Sequence, residues 1–148
     1  MSESKENAVR EVMAHFKRQN IIQMATVEGD QPRVRPVTLI HLDDELYVIT
    51  GARGGAETGK VRQIKENPKV EFYMAIQGEG GQGFVRGETV ASIVDDPELK
   101  ERLYGEIDWA SNYFNGPEDP SYILLHMEPK AFQYRKPGEY DIVQIEVS

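Results

Sequence analysis

Between Gly54 and Lys60 the chain reads Gly-Gly-Ala-Glu-Thr-Gly-Lys, with glycines and a lysine spaced as in a loop that cradles phosphate. Backbone N–H groups, a helix N-terminus and the Lys60 ammonium can meet one anion there, because a predicted strand precedes the segment and a predicted helix follows it. The next residue is Val61, where a triphosphate-binding loop needs Ser or Thr to hold magnesium. The flanking pattern is also antiparallel rather than strand–helix–strand. The segment therefore reads as an anion site and not as a nucleotide triphosphatase. A second group is Arg33-Val34-Arg35-Pro36-Val37. On a strand, Arg33, Arg35 and Val37 share one face, and Val34, Pro36 and Thr38 share the other. Two arginines side by side repel unless an anion or solvent relieves them. The alternative is that they decorate an exposed edge.

Other chemistries find less support. His15, His41 and His126 stand in no metal-ligand spacing, so no metal site is expected. No cysteine is present, which excludes a disulfide framework, a thiolate nucleophile and cysteine-ligated metal centres. No local motif suggests a Ser-His-Asp arrangement. Tyr104, Trp109, Tyr113, Phe114 and Tyr122 form an aromatic group that reads as core or interface, and a planar cofactor would need some such ring nearby.

The elements that must position these residues follow from periodicity. Residues 4–19 read as an amphipathic helix, with Val9, Val12, Met13 and Phe16 on one face. Strands are expected at 21–27, 33–42, 46–50, 70–76, 84–93, 122–127, 131–135 and 140–147. The first two make a hairpin. Pro36 places its strand at an edge or a bulge, because proline cannot donate to the ladder. Residues 60–66 read as a short helix with Val61 and Ile64 on one side, ended by Asn67-Pro68. Asp95 or Asp96 caps a further helix, with Pro97 at its first position and Glu98 completing a capping box. Residues 108–114 suggest another short helix. Short turns between strands favour antiparallel pairing, and the whole reads as mainly β, a six- to seven-stranded antiparallel barrel with peripheral helices.

With 148 residues the chain is expected to be one domain: a helix over 1–19, a core barrel with its phosphate loop over 20–94, and helices with closing strands over 95–148. The 17 basic and 25 acidic side chains leave a formal charge of −8, which argues against nucleic-acid binding. The acid excess lies mostly in residues 86–148, with 6 basic and 13 acidic side chains against 11 and 12 in residues 1–85. No long apolar run and no signal-peptide pattern appears, so a cytoplasmic protein without a membrane association is expected.

The order of these pieces resembles a known family. A helix is followed by Ile22-Gln23-Met24-Ala25-Thr26-Val27, a turn, and Pro32-Arg33-Val34-Arg35-Pro36-Val37. Then come Tyr47-Val48-Ile49-Thr50-Gly51, Thr58-Gly59-Lys60, Gln63-Ile64, Asn67-Pro68-Lys69-Val70 and Val85-Arg86-Gly87-Glu88-Thr89. This order is similar to that of the pyridoxamine 5′-phosphate oxidase-like, FMN-binding split β-barrels, closely over residues 8–94 and loosely beyond. The resemblance implies a homodimer with FMN at the subunit interface and an oxidoreductase or flavin reductase acting on a small molecule. It implies that Arg33, Arg35, Pro36, Val37, Thr38, Ile49, Thr50 and Gly51 line the flavin and its ribityl chain. Thr58 and Lys60 would hold the phosphate, and Gln82 would reach the flavin from the partner. The family also includes enzymes of the deazaflavin F420 and non-catalytic flavin- or haem-binding dimers, which stand as alternatives. Two departures are visible: Gly54-Gly55-Ala56-Glu57 lengthens the loop, and the C-terminus lacks the arginine–histidine motif of the true oxidase, so pyridoxamine phosphate oxidation itself is not expected.

Overall fold

Alternation of apolar and polar residues, with turns of two or three residues between runs, is enough to build a closed antiparallel sheet. A computed structural model describes residues 3–51 and 59–147. Its strands are β1 (Gln19–Glu28), β2 (Gln31–Leu42), β3 (Glu45–Gly51), β4 (Lys69–Gly78), β5 (Gly81–Ile93), β6 (Tyr122–Arg135) and β7 (Val143–Glu146). Its helices are α1 (Glu3–Met13), α2 (Gly59–Glu66) and α3 (Pro97–Glu106), with a 3-10 turn at Ala110–Asn112. The order β3-β2-β1-β4-β5-β6-β7 closes because β3 also pairs with β6. β6 is long enough to serve two neighbours on one side. Tyr122–Met127 pairs with β3, and Ala131–Tyr134 pairs with β7. The barrel is split between β1 and β4, where only Gln23, Met24 and Ala25 find partners.

Two apolar layers result. Inside the barrel lie Ile22, Met24, Leu39, Phe72, Leu125 and Phe132, joined by Val12 and Phe16 from the N-terminal segment and by Val61 and Ile64 of α2. Outside β2, β3 and β6 lies a second layer of Ile40, Leu42, Ile49, Tyr122 and Leu124, covered by Leu103 of α3, Ala110 and Phe114. Gly87 is required by the first layer. A Cβ there would stand 2.2 Å from Cε2 of the buried Phe72 ring. The β2–β3 turn puts Asp43 and Asp44 at φ 54° and 62°, the left-handed pair of a tight hairpin turn. Among the described residues no helix is long and apolar enough to cross a membrane.

Several sequence expectations need adjusting. The helix predicted over 4–19 ends at Met13; Phe16 is buried with it, but through a non-helical connection. The two strands predicted at 122–127 and 131–135 are one strand, because the apparent break is a bulge: Glu88 faces Ala131 and Thr89 faces Pro129, leaving Lys130 as the extra residue. The last strand is shortened to Val143–Glu146, and the helix expected over 108–114 is only the 3-10 turn. Of the two candidate caps of α3, Asp96 is the one used, its carboxylate accepting from the N–H groups of Glu98 and Leu99. Pro36 sits in a strand with neighbours on both sides, yet pairing with β3 begins only at Thr38, so one flank of Pro36 has no ladder partner.

Candidate functional site

β2 carries the predicted residues in two directions. Arg33, Arg35 and Val37 lie opposite Thr26, Met24 and Ile22 of β1. Facing residues of an antiparallel pair share a face, so these three belong to the interior side of the sheet, as the alternation implies. Val37 packs on the interior core, Arg35 is half-buried, and Arg33 is exposed at the barrel end. Pro36 is exposed and Thr38 half-buried on the outer face, where Thr38 pairs with Ile49 of β3. Thr50 is buried and Gly51 ends β3 exposed.

α2 caps this end of the barrel. Its Val61 and Ile64 enter the interior core, and Gln63 is buried beside them. The Gln63 side-chain oxygen accepts a hydrogen bond from the Thr26 hydroxyl at 2.9 Å and a longer one from Nη2 of Arg35 at 3.5 Å. Thr26 is itself only 1% exposed. The guanidinium is thereby held against the middle of α2. Its other terminal nitrogen, Nη1, is buried and has no hydrogen-bond partner among the described residues. An orphaned buried donor costs roughly 1–3 kcal/mol, more when charged, so the position favours an anionic acceptor.

Thr58 lies outside the described residues, as does the Gly54–Glu57 insertion, and of Lys60 only the helical backbone is described. Gln82 stands apart. It is exposed at the start of β5, facing Gln77. Met24, which faces Arg35, also faces Phe72, and Phe72 to Gln77 is five residues, roughly 17 Å of strand. Within one chain Gln82 does not join the other candidates. Gln63 and Thr26 are the residues that pattern alone passed over as site members. A buried amide between Val61 and Ile64 was their only signal, since a helix face entering a core seldom carries glutamine. Among the described residues no group of three or more His, Asp or Glu could hold a metal ion.

Beside Thr38 and Ile49, the outer face of the sheet passes from covered to bare. Trp109 and Tyr113 mark the border, with ring centroids 5.8 Å apart in an edge-to-face arrangement. Beyond them Ile21 and Val34 are each 69% exposed, and Tyr73 is exposed too. So many large apolar side chains on one sheet face suit a contact rather than solvent.

Comparison with known proteins puts this geometry in context. A family model described as pyridoxamine 5′-phosphate oxidase matches residues 8–136. General stress protein 26 of Bacillus subtilis (strain 168) is 29% identical over 143 residues, covering 94% of each chain. The crystal structure of General Stress Protein 26 from Bacillus anthracis str. Sterne shares the fold with a TM-score of 0.72 at 23% identity, covering 99% of this chain and 100% of that one. A FAD-binding protein from Mesorhizobium loti shares it with a TM-score of 0.62 at 14% identity, covering 86% of this chain and 88% of that one.

Proposed function

The chain belongs to the pyridoxamine 5′-phosphate oxidase family, matched over residues 8–136, and on that premise we propose that it is an FMN-binding oxidoreductase acting on a small molecule. The observation that carries this reading is the Arg35 guanidinium, held by Gln63 of α2 and left with a buried Nη1 that has no hydrogen-bond partner among the described residues. A phosphate at that point would accept from Arg35 and from N–H groups of the helix start, and Lys60 would add its charge. Each such charge-assisted bond contributes about 1.5–3 kcal/mol. The flavin would supply the redox chemistry, and the chain would bind and orient it. Gln63 fixes the arginine, and because the Thr38–Ile49 pair lies on the opposite face of the sheet, a cofactor would meet both only by passing the edge of β2 beyond Thr38. A second copy of the chain, seated on the bare face around Ile21, Val34 and Tyr73, would bring its Gln82 to the site. That a related fold is a FAD-binding protein supports a flavin in this scaffold.

The test is the visible spectrum of the purified protein, with mass analysis of what heat releases and sedimentation for the dimer. The expected result is a yellow dimer releasing FMN, with Arg35→Ala colourless but folded. A colourless wild-type protein that takes up no added FMN overturns the reading, and release of a deazaflavin redirects it to F420.

A further inference from the structure

Tyr113 is 75% exposed, yet it is not on a loose loop. Its own N–H and that of Phe114 both donate to the Ala110 carbonyl, at 3.1 and 3.0 Å. Its neighbour Phe114 is buried, and the Phe114 carbonyl accepts from the Tyr104 hydroxyl at 3.1 Å. Just beyond, the Asp119 carboxylate accepts from the N–H groups of Asn115 and Ser121, both at 2.9 Å. Those bonds hold its carboxyl below the usual aspartate range. Trp109 is fixed likewise, its indole N–H donating to Gln19 at 2.9 Å. A large aromatic side chain held out into solvent on an anchored backbone is pre-organised for a ligand, because little rotamer and loop freedom remains to be lost.

Both faces of this ring pair are concave. One cavity of about 410 Å³ lies between Trp109, Tyr113, Ile21 and Thr38. A second of about 560 Å³ lies between Trp109, Tyr113, Ile49 and Gly51. Each is the size of a small-molecule site, roughly 300–1,000 Å³. Among the described residues the one charged side chain lining either cavity is Asp119, and its carboxylate is occupied by backbone N–H groups. The two rings stand nearly perpendicular, so a planar molecule stacks on one and meets the edge of the other, and the absence of a free counter-charge among the described lining residues suits a neutral one.

We propose that Trp109 and Tyr113, set edge to face, form a two-ring wall on which a neutral, planar, conjugated small molecule stacks against the Tyr113 ring. Its role as substrate rests on the flavin reading above, since Thr38, Ile49 and Gly51 line the same cavities. The wall itself does not rest on that reading.

The probe is menadione, a neutral bicyclic quinone, titrated into the oxidised protein with and without FMN. Trp109 is the single tryptophan of the chain, so its emission reports the wall directly. Saturable quenching is expected in the wild type. Tyr113→Ala should weaken it about tenfold and Tyr113→Phe should keep it within about twofold, as loss or retention of one ring stack implies. FMN affinity and the sedimentation coefficient should stay unchanged in both variants. Quenching without saturation, or saturation indifferent to Tyr113→Ala, overturns the proposal. An equal loss of FMN affinity would make the wall a cofactor contact, and dissociation to monomers would make it a subunit contact; either overturns the proposal too. A wild-type protein that takes no FMN fails the flavin reading alone, because the menadione titration without flavin still decides the wall.

Discussion

The two halves of β2 are built from one continuous strand and do opposite work. From Thr38 to Ile40 the strand has β1 on one flank and β3 on the other, β3 continues beside it to Leu42, and Leu39, Ile40 and Leu42 are buried in the two apolar layers. From Gln31 to Val37 it pairs, among the described residues, with β1 alone. There it carries two arginines, two prolines and the exposed Val34. A strand flanked on both sides is committed to packing. Where the described part of one neighbour ends, the strand is no longer enclosed on both flanks by packed sheet. The candidate site starts at that transition, at Arg35 on the interior face and Thr38 on the outer.

That contrast can be broken in stages. Leu39→Ala, in the packed half, should cost about 2–5 kcal/mol in urea unfolding, the range for a leucine removed from a full core. Arg35→Ala, in the open half, should leave the urea midpoint near wild type and lower FMN affinity by about 10- to 150-fold, the loss of one or two charge-assisted bonds. A large stability loss in Arg35→Ala would erase the distinction and make the arginine structural. Gln63→Leu sharpens it: the Thr26 hydroxyl loses its partner at a cost of about 1–3 kcal/mol. FMN affinity should fall less than in Arg35→Ala, because the arginine is mispositioned but present.

The smallest effect is a titration within the packed interior. Burial first, then the charge of Glu11, pushes the Tyr134 phenol up to about 12 from 10.0. A phenol whose folded pKa is raised stabilises the fold fully below its unfolded value. That contribution is lost as pH climbs from 10.0 to about 12. Tyr134→Phe should therefore flatten the alkaline fall in stability, measured by urea unfolding across that window, and leave FMN affinity at neutral pH unchanged. An unchanged alkaline slope would assign the fall to other groups.

Much of the frame was legible in the chain. The shared face of Arg33, Arg35 and Val37, the paired burial of Val61 and Ile64, and the cap at Asp95-Asp96 all follow from periodicity or local hydrogen bonding, which act over a few residues. The errors came where a local signal had two meanings. Glu128-Pro129-Lys130 has the composition of a turn, and only the partner strand β5 shows it to be a bulge in β6. Phe16 continues a helical period after the helix has ended, because burial repeats the spacing without the backbone. Among the site residues, no pattern marks Gln63 as the acceptor shared by Arg35 and Thr26. Thirty-seven residues separate that amide from its threonine, and nothing local connects them.

The sequence by itself determined the antiparallel class, the faces of the strands and where the positive charges stand along them, since side-chain alternation and charge are properties of short segments. Only the tertiary structure decided which of them meet. Closing the barrel through β3 and β6 and capping it with α2 set Gln63 against Arg35, left one guanidinium nitrogen without a partner among the described residues, and separated Gln82 from both. Those placements depend on strand register and on how far apart in the chain the neighbours lie. No local pattern encodes either.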